Sequence, residues 1–181
     1  MRLGVKSLYY AVMNDEDAET YATPVAVEGI SNIDISANSG TSKFYADNTL
    51  HENIPYVSDF EITLEMAELD PETKADLLGN TLDASGVLTE KTTDNPPYVA
   101  LGYKITKSNG SDVYVWFYKG KFRVPDESIA TEGETPEPQP DEIIGEFSAL
   151  DDGRYKKYAD EDAPGYVDVS STWFTTSTLE G

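Results

Sequence analysis

YVALGYKITKSNGSDVYVWFYKGKFRV, residues 98–124, is the clearest structural signal in the sequence. The pair Asn109-Gly110 tolerates positive φ at both central positions of a tight turn, so it predicts a β-hairpin with arms over 98–106 and 113–124. The second arm is apolar or aromatic at successive positions, a pattern typical of a strand that is covered on both faces. The hairpin therefore predicts a strand buried on both sides.

Strand patterns continue on either side of this hairpin. Residues 3–13 are apolar and rich in Tyr, and residues 25–35 predict a second strand with a bulge at Gly29. Residues 59–66 alternate between apolar and polar side chains, which predicts a strand with one buried face and one wet, acidic face. Residues 143–150 predict another strand. Strands thus dominate the chain.

One short helix is predicted after residue 70. Asp70 is a favourable N-cap, Pro71 suits the first helical position, and Gly79 marks the end of a helix that buries Leu77 and Leu78. The predicted fold class is mainly β: an antiparallel β-sandwich or barrel with one short flanking α-helix, forming a single domain over residues 1–181.

Three segments carry no clear pattern. Residues 36–58 are polar and predict a long loop, and loops of that length in compact domains tend to be functional. Residues 125–141 combine proline with acidic residues and predict an extended loop. Residues 151–181 are acidic and rich in Tyr, and the sequence leaves their role open between decorating an outer wall and sealing a subunit contact.

The net negative charge of the chain argues against one class of function, nucleic-acid binding. Asp and Glu outnumber Lys and Arg by 34 to 13, a formal net charge of −21, which opposes tight nucleic-acid binding because such binding needs clustered cations. The longest apolar run, residues 113–118, is far shorter than the ~20 residues of a membrane-spanning helix. We therefore expect neither a nucleic-acid-binding protein nor a membrane protein.

The sequence offers no pattern of catalytic or metal-binding residues. It contains no cysteine and a single histidine, His51, so the familiar zinc sites cannot form. The acidic runs at 15–17 and 160–162 do not match the spacing of a calcium-binding loop. No nucleophile or phosphate-binding motif is present. We expect no enzyme, no cofactor and no metal.

The hairpin also carries a resemblance to a known family. Residues 97–103 (PYVALGY) and 114–122 (YVWFYKGKF), with the opening GVKSLYYAV of residues 4–12, YAD at 45–47 and ADLLG at 75–79, resemble the major tail proteins, or tail tube proteins, of phages and prophages with long non-contractile tails in Gram-positive bacteria. The resemblance covers roughly residues 3–150 as short motifs in a consistent order.

The resemblance implies a structural virion protein, assembled in the bacterial host cytoplasm and located in the virion tail. Copies of the chain would form stacked hexameric rings around a bore through which DNA passes without specific binding. Further partners would be the tape measure, terminator and distal tail proteins. The loop over 36–58 would reach a neighbouring ring through Lys43, Phe44, Tyr45, Asp47 and His51.

Two further sets of residues become candidates for assembly. The wet face of the 59–66 strand would line the bore, where its carboxylates Asp59, Glu61 and Glu65 would repel the DNA. Tyr114, Trp116 and Tyr118 would lie on a strand at a subunit interface, with an internal strand as the equally open alternative.

Two other functions remain open at this point. A monomeric β-sandwich could bind a carbohydrate or protein ligand through its aromatic residues, and a related ring protein could terminate the tail or join it to the head. A binding module would stay monomeric and a terminator would form single rings, whereas a tube protein would form tubes.

Overall fold

The computed structural model describes residues 1–127, 129, 131 and 139–181. Strands and helices follow in the order β1 (Arg2–Asp15), β2 (Thr20–Tyr21), β3 (Val25–Val27), β4 (Ile30–Ala46), β5 (Thr49–Met66), α1 (Pro71–Leu78), β6 (Thr81–Leu82), β7 (Leu88–Thr89), β8 (Val99–Lys107), β9 (Asp112–Arg123), β10 (Asp141–Ser148), β11 (Lys156–Asp160) and α2 (Thr176–Glu180).

Nine of these strands form one antiparallel sheet. Its main order is β2-β1-β8-β9-β10-β5-β4, with β3 also paired to β1 and β11 also paired to β9. The sheet curls until β4 contacts β1, but it does not close into a barrel. The predicted fold class, mainly β with antiparallel strands, is confirmed. Of the two predicted forms, sandwich or barrel, the sheet does not adopt the barrel.

The predicted hairpin lies at the centre of this sheet. Strand β8 covers one edge of β9, whereas β10 and β11 share the other edge, β10 along 119–123 and β11 along 113–117. Residues 113–118 of β9 are all buried, so the predicted burial on both faces is confirmed.

Each face of the central strands packs against its own hydrophobic core. The first core lies inside the curl of the sheet and contains α1 residues together with Leu101, Phe117 and Ile62. The second core lies on the opposite face and is built around Trp116 and Trp173. Because successive side chains of a strand point to opposite faces, β9 contributes to both cores.

Helix α1 begins and ends where the sequence predicts. Asp70 accepts hydrogen bonds from the backbone N–H of Thr73 at 2.9 Å and from its hydroxyl at 2.6 Å, and Gly79 ends the helix with φ 71°. The hydroxyl of Tyr10 donates to Asp76 at 2.6 Å and ties the helix to β1. Leu77 and Leu78 enter the first core, as predicted.

The C-terminal segment adds structure that the sequence does not predict. After β11, the chain crosses the second core and ends in α2, where Leu179 is buried. Helix α2 is a correction to the predicted single helix: its five residues include three Ser or Thr, which are weak helix formers, and it is held instead by the burial of Leu179.

The predicted loop over 36–58 is wrong. Strands β4 and β5 pair along their whole length and turn at Asp47-Asn48, both of which have positive φ, 50° and 62°. Of the predicted loop over 125–141, residues 128, 130 and 132–138 lie outside the described residues, and Asp141 already belongs to β10.

Candidate functional site

The most prominent surface feature is the outer part of the β4–β5 hairpin, residues 39–57, which we term the ribbon. Pairing between β5 and β10 stops at Phe60, so beyond this residue β4 and β5 pair only with each other among the described residues. At ~3.3 Å per residue, the ribbon extends roughly 25 Å from the edge of the sheet.

The ribbon exposes an unusual amount of apolar surface. Six of its large apolar or aromatic side chains are about half or more exposed: Phe44, Tyr45, Leu50, Ile54, Tyr56 and Val57. Residues that face each other across an antiparallel pair share a face, so Tyr56 and Ile54 lie with Phe44, while Val57 and Leu50 lie with Tyr45. Both faces of the ribbon are therefore partly apolar.

All five residues predicted for ring stacking lie in the ribbon. Phe44 and His51 contact each other edge to face, with ring centroids 6.1 Å apart. Lys43 lies opposite Asn53, Tyr45 opposite Leu50, and Asp47 forms half of the turn. The structure brings these residues together on an ordered two-stranded element instead of the predicted loop.

The ribbon contains one close backbone approach. The ring of Tyr56 lies directly over Gly40, where a Cβ atom would come within 2.6 Å of the tyrosine hydroxyl. Any larger residue at position 40 would displace this ring, so Gly40 fixes how Tyr56 lies across the ribbon.

The predicted acidic residues of β5 lie on an exposed sheet face. Register places Glu142 opposite Glu65, Glu146 opposite Glu61 and Asp34 opposite Thr63, so neighbouring strands add carboxylates to the same face. We term this surface the acidic face, formed by Asp34, Asp59, Glu61, Glu65, Glu142 and Glu146.

Two contacts organise the acidic face. Arg123 of β9 bridges two of its carboxylates, with Nη2 3.0 Å from Glu61 and Nη1 3.3 Å from Glu146. Asp59 accepts from the amide of Asn38 at 3.0 Å and from the hydroxyl of Ser58 at 2.6 Å. Exposed ion pairs of this kind contribute at most about 1 kcal/mol each, so they arrange the side chains more than they stabilise the fold.

Tyr114, Trp116 and Tyr118, predicted for a subunit interface, belong to the second core. Their exposed fractions are 3, 0 and 1%. The indole of Trp116 donates to the carbonyl of Trp173 at 2.9 Å, and the hydroxyl of Tyr114 donates to Glu161 at 3.2 Å. The chain's own C-terminal segment covers these side chains, and a neighbour could reach them only if that segment moved.

A second exposed feature lies beside the first core, at β11. The ammonium of Lys156 lies 5.3 Å from the ring centroid of Phe117 and 6.0 Å from that of Tyr158. Next to it, Tyr155 stacks on Phe60 with ring centroids 4.7 Å apart. Burial lowers the pKa of Lys156, and the positive charge of Arg2 lowers it further. The sequence reasoning missed this group, because its members come from three distant segments.

Two other kinds of site are absent from the described part of the chain. Within it, no cluster of three or more His, Asp and Glu side chains could hold a metal ion. Nor does any helix in residues 1–127 and 139–181 have the length and apolar character needed to cross a membrane.

Comparison with known proteins identifies the class. Residues 17–177 match the family model of the phage tail tube protein. The chain therefore belongs to the phage tail tube protein family and is a structural component of the virion tail. The resemblance carried by the central hairpin is confirmed. No curated protein matches the chain.

Proposed function

We propose that this chain builds the tail tube by assembling with itself into rings of six copies, which stack around a bore that conducts DNA. Its role is structural rather than enzymatic. Its further partners are the other proteins of the tail: the tape measure protein inside the bore, and the terminator and distal tail proteins at the two ends. Family membership supports the tail location, and the ribbon supports the self-assembly.

The ribbon is the observation that carries this proposal. No third strand of the described residues pairs with the outer edges of its two strands, and both of its faces expose apolar side chains. In a monomer such an element is an aggregation hazard, since open edges and apolar patches recruit other chains. In a stacked tube the same element becomes a joint between copies, with Lys43, Phe44, Tyr45, Asp47 and His51 at the contact.

The acidic face supports a role as the wall of the bore. DNA has to slide through the tube, and a wall that bound phosphate would hold it back. Carboxylates at Asp59, Glu61 and Glu65 repel the duplex, and at physiological salt this repulsion acts over a Debye length of about 8 Å. Arg123 neutralises part of the face by bridging Glu61 and Glu146. Cryo-electron microscopy that placed these carboxylates on the outer wall would refute this assignment.

Sedimentation and negative-stain electron microscopy test the self-assembly. We expect the purified chain, at high concentration and near-physiological salt, to form rings and tubes. A shortened variant, in which Asn-Gly replaces residues 43–53, keeps the pair Ser42–Ile54 and the whole body of the fold. We expect this variant to fold but to form no tubes.

A matched control separates ribbon length from turn chemistry. The variant Asn48→Gly changes only a turn residue with positive φ that lies outside the five contact residues, and it should assemble like the parent chain. If the parent chain stays monomeric, with or without other tail proteins, the proposal is wrong. Single rings that never stack would instead indicate the tail terminator or the head-joining ring protein.

A further inference from the structure

The outer edge of β11 is an open sheet edge. Strand β11 pairs with β9 through one edge, over residues 156–160 and 113–117, and no strand in the described part of the chain pairs with its other edge. The N–H and C=O groups along an open edge pair readily with an incoming strand. The edge is five residues long, which suits a short segment of extended chain.

Lys156 lies on this edge, and its positive charge has no counterion among the described residues. Its ammonium contacts only the rings of Phe117 and Tyr158, and no carboxylate of the described residues lies within ion-pair distance of it. A carboxylate brought from outside would gain a charge-assisted contact, in surroundings that are less polar than open water.

The ribbon offers a strand with the complementary pattern. No strand in the described part of the chain pairs with the outer edge of β5 over 50–57, and Glu52 and Ile54 lie on one face of it. Lys156 and Tyr158 likewise lie two residues apart on one face of β11, and the ring of Phe117 that Lys156 contacts lies against Phe60. Glu52 is exposed, and Ile54 is 48% exposed. The carboxylate of Glu52 and the apolar side chain of Ile54 are thus two residues apart on one strand, as are the ammonium of Lys156 and the aromatic ring of Tyr158 on the other.

We propose that the ribbon of a second copy docks along the outer edge of β11, with Glu52 of that copy paired to Lys156 and its Ile54 packed on the neighbouring rings. The proposal rests on the self-assembly proposed above and assigns one contact within it. The occupant is a second copy because the ribbon exposes a carboxylate and an apolar side chain, Glu52 and Ile54, where the β11 edge presents an ammonium and aromatic rings.

Disulfide trapping tests this contact directly, because the chain contains no cysteine. In the double variant Glu52→Cys, Lys156→Cys, the two introduced thiols are the only ones present. We expect oxidation of the assembled protein, with oxygen and a copper catalyst, to yield a ladder of covalent multimers on a non-reducing gel. Each single-cysteine variant carries one thiol per chain, so it can form dimers at most.

Charge exchange supplies a second, independent test. Glu52→Lys lies on the exposed ribbon and leaves the cores untouched, so a loss of assembly cannot be attributed to misfolding. We expect Glu52→Lys or Lys156→Glu alone to raise the critical concentration for assembly about five- to tenfold. The combined exchange should bring the critical concentration most of the way back to the value of the parent chain. Glu28→Lys and Lys91→Glu, which reverse exposed charges away from this contact, serve as controls.

The outcomes distinguish this proposal from the one on which it rests. If tubes form but the double-cysteine variant gives no ladder, or the charge exchange rescues nothing, the docking contact is wrong and self-assembly stands. If the control reversals impair assembly as strongly as Glu52→Lys, the effect is general repulsion, and the contact is again wrong. If the parent chain never assembles, self-assembly itself fails.

Discussion

The indole Nε1 of Trp116 donates a hydrogen bond to the backbone carbonyl of Trp173, 2.9 Å away in space and 57 residues away in sequence. This bond joins the central strand of the sheet to the C-terminal segment. Beside it, Phe174 stacks on Tyr9 of β1 with ring centroids 4.1 Å apart. The C-terminal segment is therefore part of the core and not an appendage to it.

The burial of Trp173 leads to a stability prediction. Its side chain is 6% exposed, and Trp173→Ala removes the ring while leaving the carbonyl that accepts from Trp116. We expect the free energy of unfolding to fall by about 3–5 kcal/mol, since large-to-small changes in a core lose buried area and leave a cavity. Urea denaturation of the unassembled protein measures this.

Val167→Ala is the matched control within the same segment, because Val167 is 76% exposed. Its effect should stay within about 0.5 kcal/mol. A Trp173→Ala effect as small as this would mean that the segment contributes little to the fold.

The same ring of Trp116 explains a glycine on the neighbouring strand. A Cβ atom at Gly102 would lie 2.8 Å from three carbons of the indole, whereas one at Gly4 would meet nothing within 4 Å. We expect Gly102→Ala to destabilise the protein by about 1–3 kcal/mol through overpacking.

Gly4→Ala is the paired substitution, and its effect on stability should have the opposite sign to that of Gly102→Ala. Gly4 does not have positive φ, so alanine there restricts the unfolded chain without strain and should stabilise the protein by about 0.4–1 kcal/mol. Thermal unfolding of both variants at one pH measures the difference. Equal effects would show that the indole does not restrict position 102.

Asp70 leads to a prediction about pH. The hydroxyl and N–H of Thr73 donate to its carboxylate and hold its pKa below the ordinary value. A lowered folded-state pKa means that the stabilisation is fully present above the unfolded pKa of about 3.9 and is lost as pH falls through the folded pKa. We expect Asp70→Ala to cost about 1 kcal/mol at pH 7 and less below pH 4.

Asp70→Asn isolates the charge from the hydrogen bond. Asparagine caps a helix about as well as aspartate but does not titrate, so this variant should lie close to the parent chain in stability. Urea denaturation between pH 7 and pH 2.5 should show the parent losing more stability than Asp70→Asn in the acid range. Parallel pH profiles for the two proteins would contradict the assignment.

The contrast between residues 59–66 and the ribbon shows what the sequence could reveal. Over 59–66 one face meets the core, so apolar side chains recur at every second position and predict the strand. In the ribbon neither face packs against a core of its own chain. Apolar and polar residues therefore do not need to alternate, and in the sequence the two strands resemble a loop. The usable signal is Asp47-Asn48, a pair that tolerates positive φ, between two short aromatic or apolar groups.

The candidate sites show a similar limit. Asp59, Glu61 and Glu65 follow from the alternation of one strand, whereas Glu142 and Glu146 join them only through the register of β10 against β5. The sequence also shows that residues 113–118 are covered on both faces without showing what covers them. For Trp116 the cover includes Trp173, and contacts that distant in sequence leave no local pattern.

The net charge of −21 leads to the last prediction, on salt. Copies of this chain repel one another as they approach, and the repulsion reaches about 30 Å at 0.01 M ionic strength but about 10 Å at 0.1 M. We expect light scattering from assembling protein to rise from low to moderate salt and then level off, once screening also weakens attractive contacts. Sodium chloride and tetramethylammonium chloride should act alike at equal ionic strength, because screening does not depend on which cation is present. Scattering that fell steadily over this range would mean that attraction between opposite charges, and not the release of repulsion, governs how the copies associate.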